Sequence, residues 1–194
     1  MRDFSQDLSA LALNTATLGH NLDGYGAGWS TEAVIDACGA RGFGGIVFWR
    51  REIGASAQQL GDRARAAGLE VAGLCRSPFL TGSLVPGDDN AIMDDFHMAI
   101  DMAAGLGTDV LTVVTGGIDP DTKGPLESQK RVADRVARGA EYAAACDVKL
   151  ALEPLNPMYG GNRSCIFTLR DALQICDWIS RDNVGVAIDV YHVW

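Results

Sequence analysis

Val148–Leu155 reads VKLALEPL and Val184–Val193 reads VGVAIDVYHV, and the two runs end alike. Ala151-Leu152-Glu153 closes the first and Ala187-Ile188-Asp189 the second, each with a small residue and then an acid on one parity and a branched apolar residue on the other. In a strand that parity separates the two faces of the sheet, so alanine and acid share a face. Working outward, four earlier runs have a similar character: Leu11–Thr17, Gly45–Arg50, Leu69–Arg76 and Asp109–Gly116. Between the six lie amphipathic stretches predicted as helices at about 30–42, 56–67, 90–106, 125–146 and 168–180. This alternation marks βα units around a parallel sheet.

Local chemistry agrees. Ser56 with Gln59 has capping-box spacing, Thr168 with Asp171 resembles it, and Pro125 with Glu127 suits a first helical turn. Gly42, Gly68 and Gly107 each stand just before a strand, where a helix end needs positive φ. Strand starts recur roughly every 35 residues, one βα unit each. Two architectures satisfy that repeat: an open doubly wound six-stranded sheet, or the first six units of a (β/α)8 TIM barrel, whose usual length is about 250 residues.

Composition narrows the function classes. Hydrophobic residues make up 47% of the 194, and no linker or low-complexity run divides them, so a single domain over 1–194 is expected. A net charge of −9 argues against nucleic acid or an anionic membrane as partner. No apolar run reaches the length of a membrane span, and the start, MRDFSQDLSA, lacks the order of a signal peptide, which together imply a cytoplasmic protein. The five cysteines are scattered without CxxC spacing and read as reduced thiols.

The two acids carry the chemistry. On neighbouring strands about 4.8 Å apart, Glu153 and Asp189 reach a common point if their parity faces inward, and His192 folds over the same end. Two hard oxygen donors beside an imidazole suit a divalent metal ion, Mn2+, Mg2+ or Zn2+. The plainer reading ends a strand with Glu153, caps a helix with Asp189 and leaves His192 on the surface. Asn14, Trp49 with Arg50, and Arg76 stand at other strand ends as candidate substrate contacts. The arginines suit a phosphate or carboxylate and Trp49 the apolar face of a sugar; their structural alternatives are pairing with local acids such as Glu52 and packing between layers. His20 and Tyr25 in the first long loop carry less signal, and His97 belongs to the third helix. GYGAG at 24–28 lacks the GxGxxG spacing, no GxxxxGK[ST] follows Thr115-Gly116-Gly117, and GxSxG is absent. Dinucleotide, P-loop and nucleophile-elbow chemistry are thereby disfavoured.

Four segments together resemble the sugar phosphate isomerase/epimerase family of the xylose-isomerase-like TIM-barrel superfamily: LNTAT at 13–17, GLCR at 73–76, LEPLNPMY at 152–159 and DVYHVW at 189–194. The resemblance implies a barrel of which this chain holds about the first six βα units, truncated at its C-terminal side. It implies Glu153 as metal ligand and catalytic acid/base, Asp189 as second ligand, and His192 as a substrate contact. The family completes the site with a histidine from a seventh strand and a glutamate from an eighth, for which these residues offer no counterpart. The implied reaction is metal-assisted proton abstraction next to the carbonyl of a sugar or sugar phosphate, through an enediolate, giving isomerisation or epimerisation. A dehydratase or lyase of the same superfamily begins with the same abstraction. The non-enzymatic alternative is an inactive truncated barrel that only binds ligand or self-associates as a homo-oligomer. A repair endonuclease of the superfamily is disfavoured by the −9 charge and only three histidines.

Overall fold

The computed structural model describes residues 3–20, 26–53, 56–85, 87–160 and 162–193. Gly24, Tyr25 and Trp194, weighed above, lie outside the described residues. The six strands follow one another in sheet order as they do in sequence, β1 to β6. A doubly wound sheet reverses its strand order at a switch point; an unbroken sequential order is that of barrel units. Contacts group the chain into two compact units, Met1–Cys75 with Met102–Val110, and Arg76–Asp101 with Leu111–Trp194.

The first unit holds β1 (Ala12–Asn14), α1 (Thr31–Ala40), β2 (Gly45–Trp49), α2 (Ala57–Ala66) and β3 (Glu70–Cys75). β1 pairs in parallel with β2 from Ala12 opposite Gly45, and β2 with β3 from Gly45 opposite Glu70, with a register shift at Ile46/Val47. Its core joins Ile46 and Phe48 of β2 to Val34 and Ile35 of α1, Leu60 and Ala64 of α2, and Val71 and Leu74 of β3, all buried. Two single 3-10 turns carry the chain off its strands, Thr15–Leu18 after β1 and Arg50–Glu52 after β2. The expected strand to Thr17 therefore stops at Asn14, whose side chain caps the first turn by accepting from the Ala16 amide at 3.0 Å. Ser56 was expected to cap α2; its hydroxyl instead donates to the Ile53 carbonyl at 2.7 Å, because the preceding turn offers that acceptor first.

The second unit contains most of α3 (Asp89–Leu106), then β4 (Val110–Val113), α4 (Pro125–Ala145), β5 (Lys149–Leu152), α5 (Leu169–Ile179), β6 (Val184–Val186) and the short α6 (Val190–Val193). β5 and β6 pair in parallel, with Leu150, Ala151 and Leu152 opposite Val184, Gly185 and Val186. Leu150 and Leu152 are buried, as are Val132 and Val136 of α4 and Ala172 and Ile175 of α5, so the branched parity of β5 faces the core as its pattern predicts. Thr168 and Asp171 form the expected capping box on α5. Gly139 lets α4 approach α3: a Cβ there would collide with the buried Phe96 ring. His97 stacks on Tyr142 with ring centroids 4.3 Å apart, a packing role. Gly42, Gly68 and Gly107, all in the first unit, adopt positive φ of 76°, 79° and 77° at their helix ends. Among the described residues no helix is long and apolar enough to cross a membrane.

Candidate active site

Glu153 follows directly on β5, with its amide donating to the Val113 carbonyl at 3.0 Å. Burial of Leu150 and Leu152 on the other parity holds it on the opposite face, beside Ala151. β6 is shorter than its sequence suggests. The Ala187 amide still donates to Leu152 at 2.8 Å, but at Asp189 the chain turns into α6. Asp189 initiates that turn: its Oδ1 accepts from the Tyr191 amide at 2.8 Å and its carbonyl from the His192 amide at 3.0 Å. The helix-capping role weighed for Asp189 is thus real, and the same turn brings His192 back over it, Nε2 at 3.9 Å from Asp189 Oδ2. Glu153, Asp189 and His192 each present one nitrogen or oxygen within 4.8 Å of the others.

The electrostatics are specific. Burial pushes the Glu153 carboxyl up to about 7, and the neighbouring Asp189 charge adds to the shift. No described residue donates a hydrogen bond to that carboxyl, so nothing offsets the desolvation of its charged form. Two carboxylates this close, one of them raised by burial, are what a divalent cation would relieve, and two hard oxygen donors fit such an ion. His192 plays a different part. Its Nδ1 accepts from the Asn156 amide at 3.3 Å, which leaves Nε2 to carry the hydrogen of the neutral ring. The ring is therefore a donor toward the carboxylate side in this form. Tyr159 and Tyr191 meet it edge-on, with centroids 5.5 and 5.1 Å away. A cavity of about 680 Å³ opens beside it, lined in part by Asn156, Phe167, Thr168 and Asp171, and reaches neither Glu153 nor Asp189.

The remaining sequence candidates have local partners. Asn14 caps the first 3-10 turn and points Nδ2 at Cys75 Sγ, 4.0 Å away. Arg76 lies 3.9 Å over the Phe79 ring and donates to the Ser77 carbonyl at 3.0 Å. Trp49 contributes its amide, which donates to Glu52 Oε1 at 2.9 Å. That glutamate is what sequence reasoning undervalued. Glu52 accepts from the hydroxyls of Thr15 and Thr31 as well and meets Nδ1 of His20. A glutamate and a polar loop histidine at consecutive strand ends were the available signal.

The profile of the xylose isomerase-like TIM barrel matches residues 35–194. This chain belongs to the xylose isomerase-like TIM barrel family. A Sinorhizobium meliloti 1021 protein of known structure is similar at 35% identity and a TM-score of 0.84, over 97% of this chain and 66% of that one. A D-psicose 3-epimerase from Clostridium cellulolyticum H10, solved with D-tagatose, shares the fold at 17% identity and TM-score 0.73, over 90% of this chain and 61% of that one. So does the IOLI protein, solved with a zinc atom, at 20% identity and TM-score 0.72, over 93% of this chain and 63% of that one. This member of the xylose isomerase-like family thus spans about two thirds of the length of the proteins it resembles. No curated protein matches the sequence.

Proposed function

We propose that this chain carries the carboxylate half of an isomerase or epimerase acting on a sugar or sugar phosphate, with Glu153 moving a proton at the carbon beside a carbonyl. The observation that supports it most is the Glu153 carboxyl, raised to about 7 by burial and Asp189, since a group that changes protonation near neutrality serves as both base and acid. Glu153 and Asp189 are the residues that would hold a divalent ion, Mn2+, Mg2+ or Zn2+. Such an ion supplies Lewis acidity that makes the C–H next to the carbonyl easier to ionise.

Glu153 takes that proton and, for isomerisation, returns it to the neighbouring carbon on the same face; epimerisation needs a second acid on the opposite face of the enediolate, a group outside the carboxylate half proposed here. His192, with its hydrogen on Nε2, donates to a substrate oxygen, and the edges of Tyr159 and Tyr191 keep its ring in place. The fold shared with a D-psicose 3-epimerase and with a zinc-bearing protein agrees with this assignment.

Solvent exchange tests the reading directly. D-fructose, D-tagatose and their phosphates, incubated in D2O with protein and Mn2+, are expected to gain deuterium next to the carbonyl. Glu153→Gln should slow that exchange by about 100-fold or more, the usual worth of a positioned acid/base group. Exchange at the unaltered rate in the variant would remove Glu153 from the role. Loss of a hydroxyl in place of exchange would move the enzyme to the dehydratases.

A further inference from the structure

We propose that His20 is a ligand-binding residue of the first unit, its Nε2 hydrogen-bonding a hydroxyl group of a polyhydroxylated ligand, with Glu52 as the residue that positions it. The class of ligand rests on the sugar reading above; the site itself rests on geometry of its own.

His20 follows the 3-10 turn that leaves β1, and Glu52 ends the turn that leaves β2, so both stand past the C-terminal ends of parallel strands, the end where barrel proteins place ligands. Each oxygen of Glu52 is fully used. Oε1 accepts from the Thr15 hydroxyl and from the Trp49 amide, at 2.9 Å in the latter case. Oε2 accepts from the Thr31 hydroxyl at 3.1 Å and meets His20 Nδ1. The Trp49 amide also reaches Thr15 Oγ1 at 3.0 Å, which fixes the threonine hydrogen on the glutamate. Four donors fill the acceptor sites of one carboxylate, so Nδ1 carries its hydrogen and Nε2 is the nitrogen left to act.

That nitrogen is buried and has no hydrogen-bond partner among the described residues. The side chains are nine-tenths buried, His20 retaining 10% of its surface and Glu52 9%. An unpaired buried polar atom destabilises the fold, and an aromatic hydrocarbon in its place would carry no such cost. Three residues besides Glu52 are arranged to aim a nitrogen that has no partner among the described residues. A structural histidine would have both nitrogens satisfied.

The surroundings choose the ligand. A metal ion needs several donors, and the one metal-competent cluster among the described residues is Glu153, Asp189 and His192. Glu52 has no free oxygen to share, and its charge beside the ring disfavours a phosphate or carboxylate. A neutral hydroxyl, which both donates and accepts, matches either protonation state of Nε2 without disturbing the Nδ1 bond. Nε2 itself is closed to solvent, so a hydroxyl gains it only by displacing what covers that edge of the ring, beside the tenth of the side chain that stays exposed.

The test uses the unaltered chain with 15N-labelled histidine, the His20 signals being identified by their loss in His20→Gln. Titration with D-fructose and D-tagatose is expected to shift His20 Nε2 saturably and leave Nδ1 in place. In calorimetric titration His20→Gln is expected to weaken sugar binding about tenfold, and Glu52→Gln to weaken it less. An Nε2 signal unmoved at saturating sugar overturns the proposal, as does a shift produced in Glu153→Gln by Zn2+ alone. The two readings fail separately. Glu153-dependent exchange with a silent Nε2 ends this proposal only, whereas a sugar-responsive Nε2 without any exchange supports it and ends the catalytic assignment.

Discussion

Two glutamates of this chain stand just past strand ends with a histidine nearby, and the protein treats them in opposite ways. Glu52 is saturated with donors: two threonine hydroxyls, a backbone amide and an imidazole N–H. Glu153 has no donor among the described residues and faces Asp189, so its charge is opposed where that of Glu52 is supported. The histidines invert in the same sense. His20 gives its Nδ1 hydrogen to Glu52, whereas His192 Nδ1 accepts from the Asn156 amide and keeps its hydrogen on Nε2. Residue type therefore says little here about environment; hydrogen-bond saturation separates a carboxylate held in its charged form from one whose proton affinity is raised toward neutrality.

One substitution made twice should break or establish that contrast, and it carries the largest expected effect. Glu52→Gln replaces an acceptor oxygen with an NH2 group that opposes its donors, and losing a buried, fully bonded carboxylate costs about 3 kcal/mol. Glu153→Gln removes a buried charge that nothing satisfies, so at pH 8 without metal it is expected to leave the protein equally stable or more stable. Urea unfolding of both variants at that pH measures the difference. Similar losses at the two positions would erase it.

The next effect is a pH dependence confined to one of the two sites. Glu153 lies at about 7 in the folded chain against an ordinary value of 4.5. Below 4.5 both folded and unfolded chains hold the proton and folding is not penalised. As pH rises, the unfolded chain loses its proton first, so stability falls through the folded value near 7 and stays low above it. The drop is at most about 3 kcal/mol, from 1.36 kcal/mol for each unit of difference. Thermal unfolding of the metal-free chain between pH 4.5 and 8 should show it, and Glu153→Gln should flatten it. Asp189→Asn is expected to reduce the drop without abolishing it, because burial is the larger cause. A profile unchanged by Glu153→Gln would assign the pH dependence elsewhere.

The contrast also explains which parts of the molecule were legible in advance. Features set by neighbours in sequence were readable: the parity of Leu150, Ala151, Leu152 and Glu153, the Thr168–Asp171 box, and the glycines at 42, 68 and 107. Where two local options competed, the pattern gave the wrong one. Ser56 bonds backward to Ile53, and β6 stops at Val186 because Asp189 spends its carboxylate starting a helix. The meeting of Glu153, Asp189 and His192 was legible because each follows a strand whose neighbour is known from the βα repeat. His20 and Glu52 are 32 residues apart and meet through two irregular turns, so no periodicity links them. Their pairing depends on Thr15, Thr31 and Trp49 being brought together by packing, and packing of that kind has no one-dimensional signature.

The smallest expected effect asks whether Glu52 acts as a hub or as the sum of separate bonds. Thr31 is the first residue of α1 and supplies one of the four donors, at 3.1 Å from Oε2. Thr31→Val keeps the shape, removes that donor and leaves Oε2 to His20, at a cost of about 1 kcal/mol. If the carboxylate is the hub, the same change made on a Glu52→Gln background should cost almost nothing, since the acceptor it served is already gone. The coupling in that double-mutant cycle is then about 1 kcal/mol, within the range of groups sharing one network. Two costs that simply add would mean that Thr31 is held by the α1 terminus alone, and that His20 is aimed by fewer bonds than the geometry assigns to it.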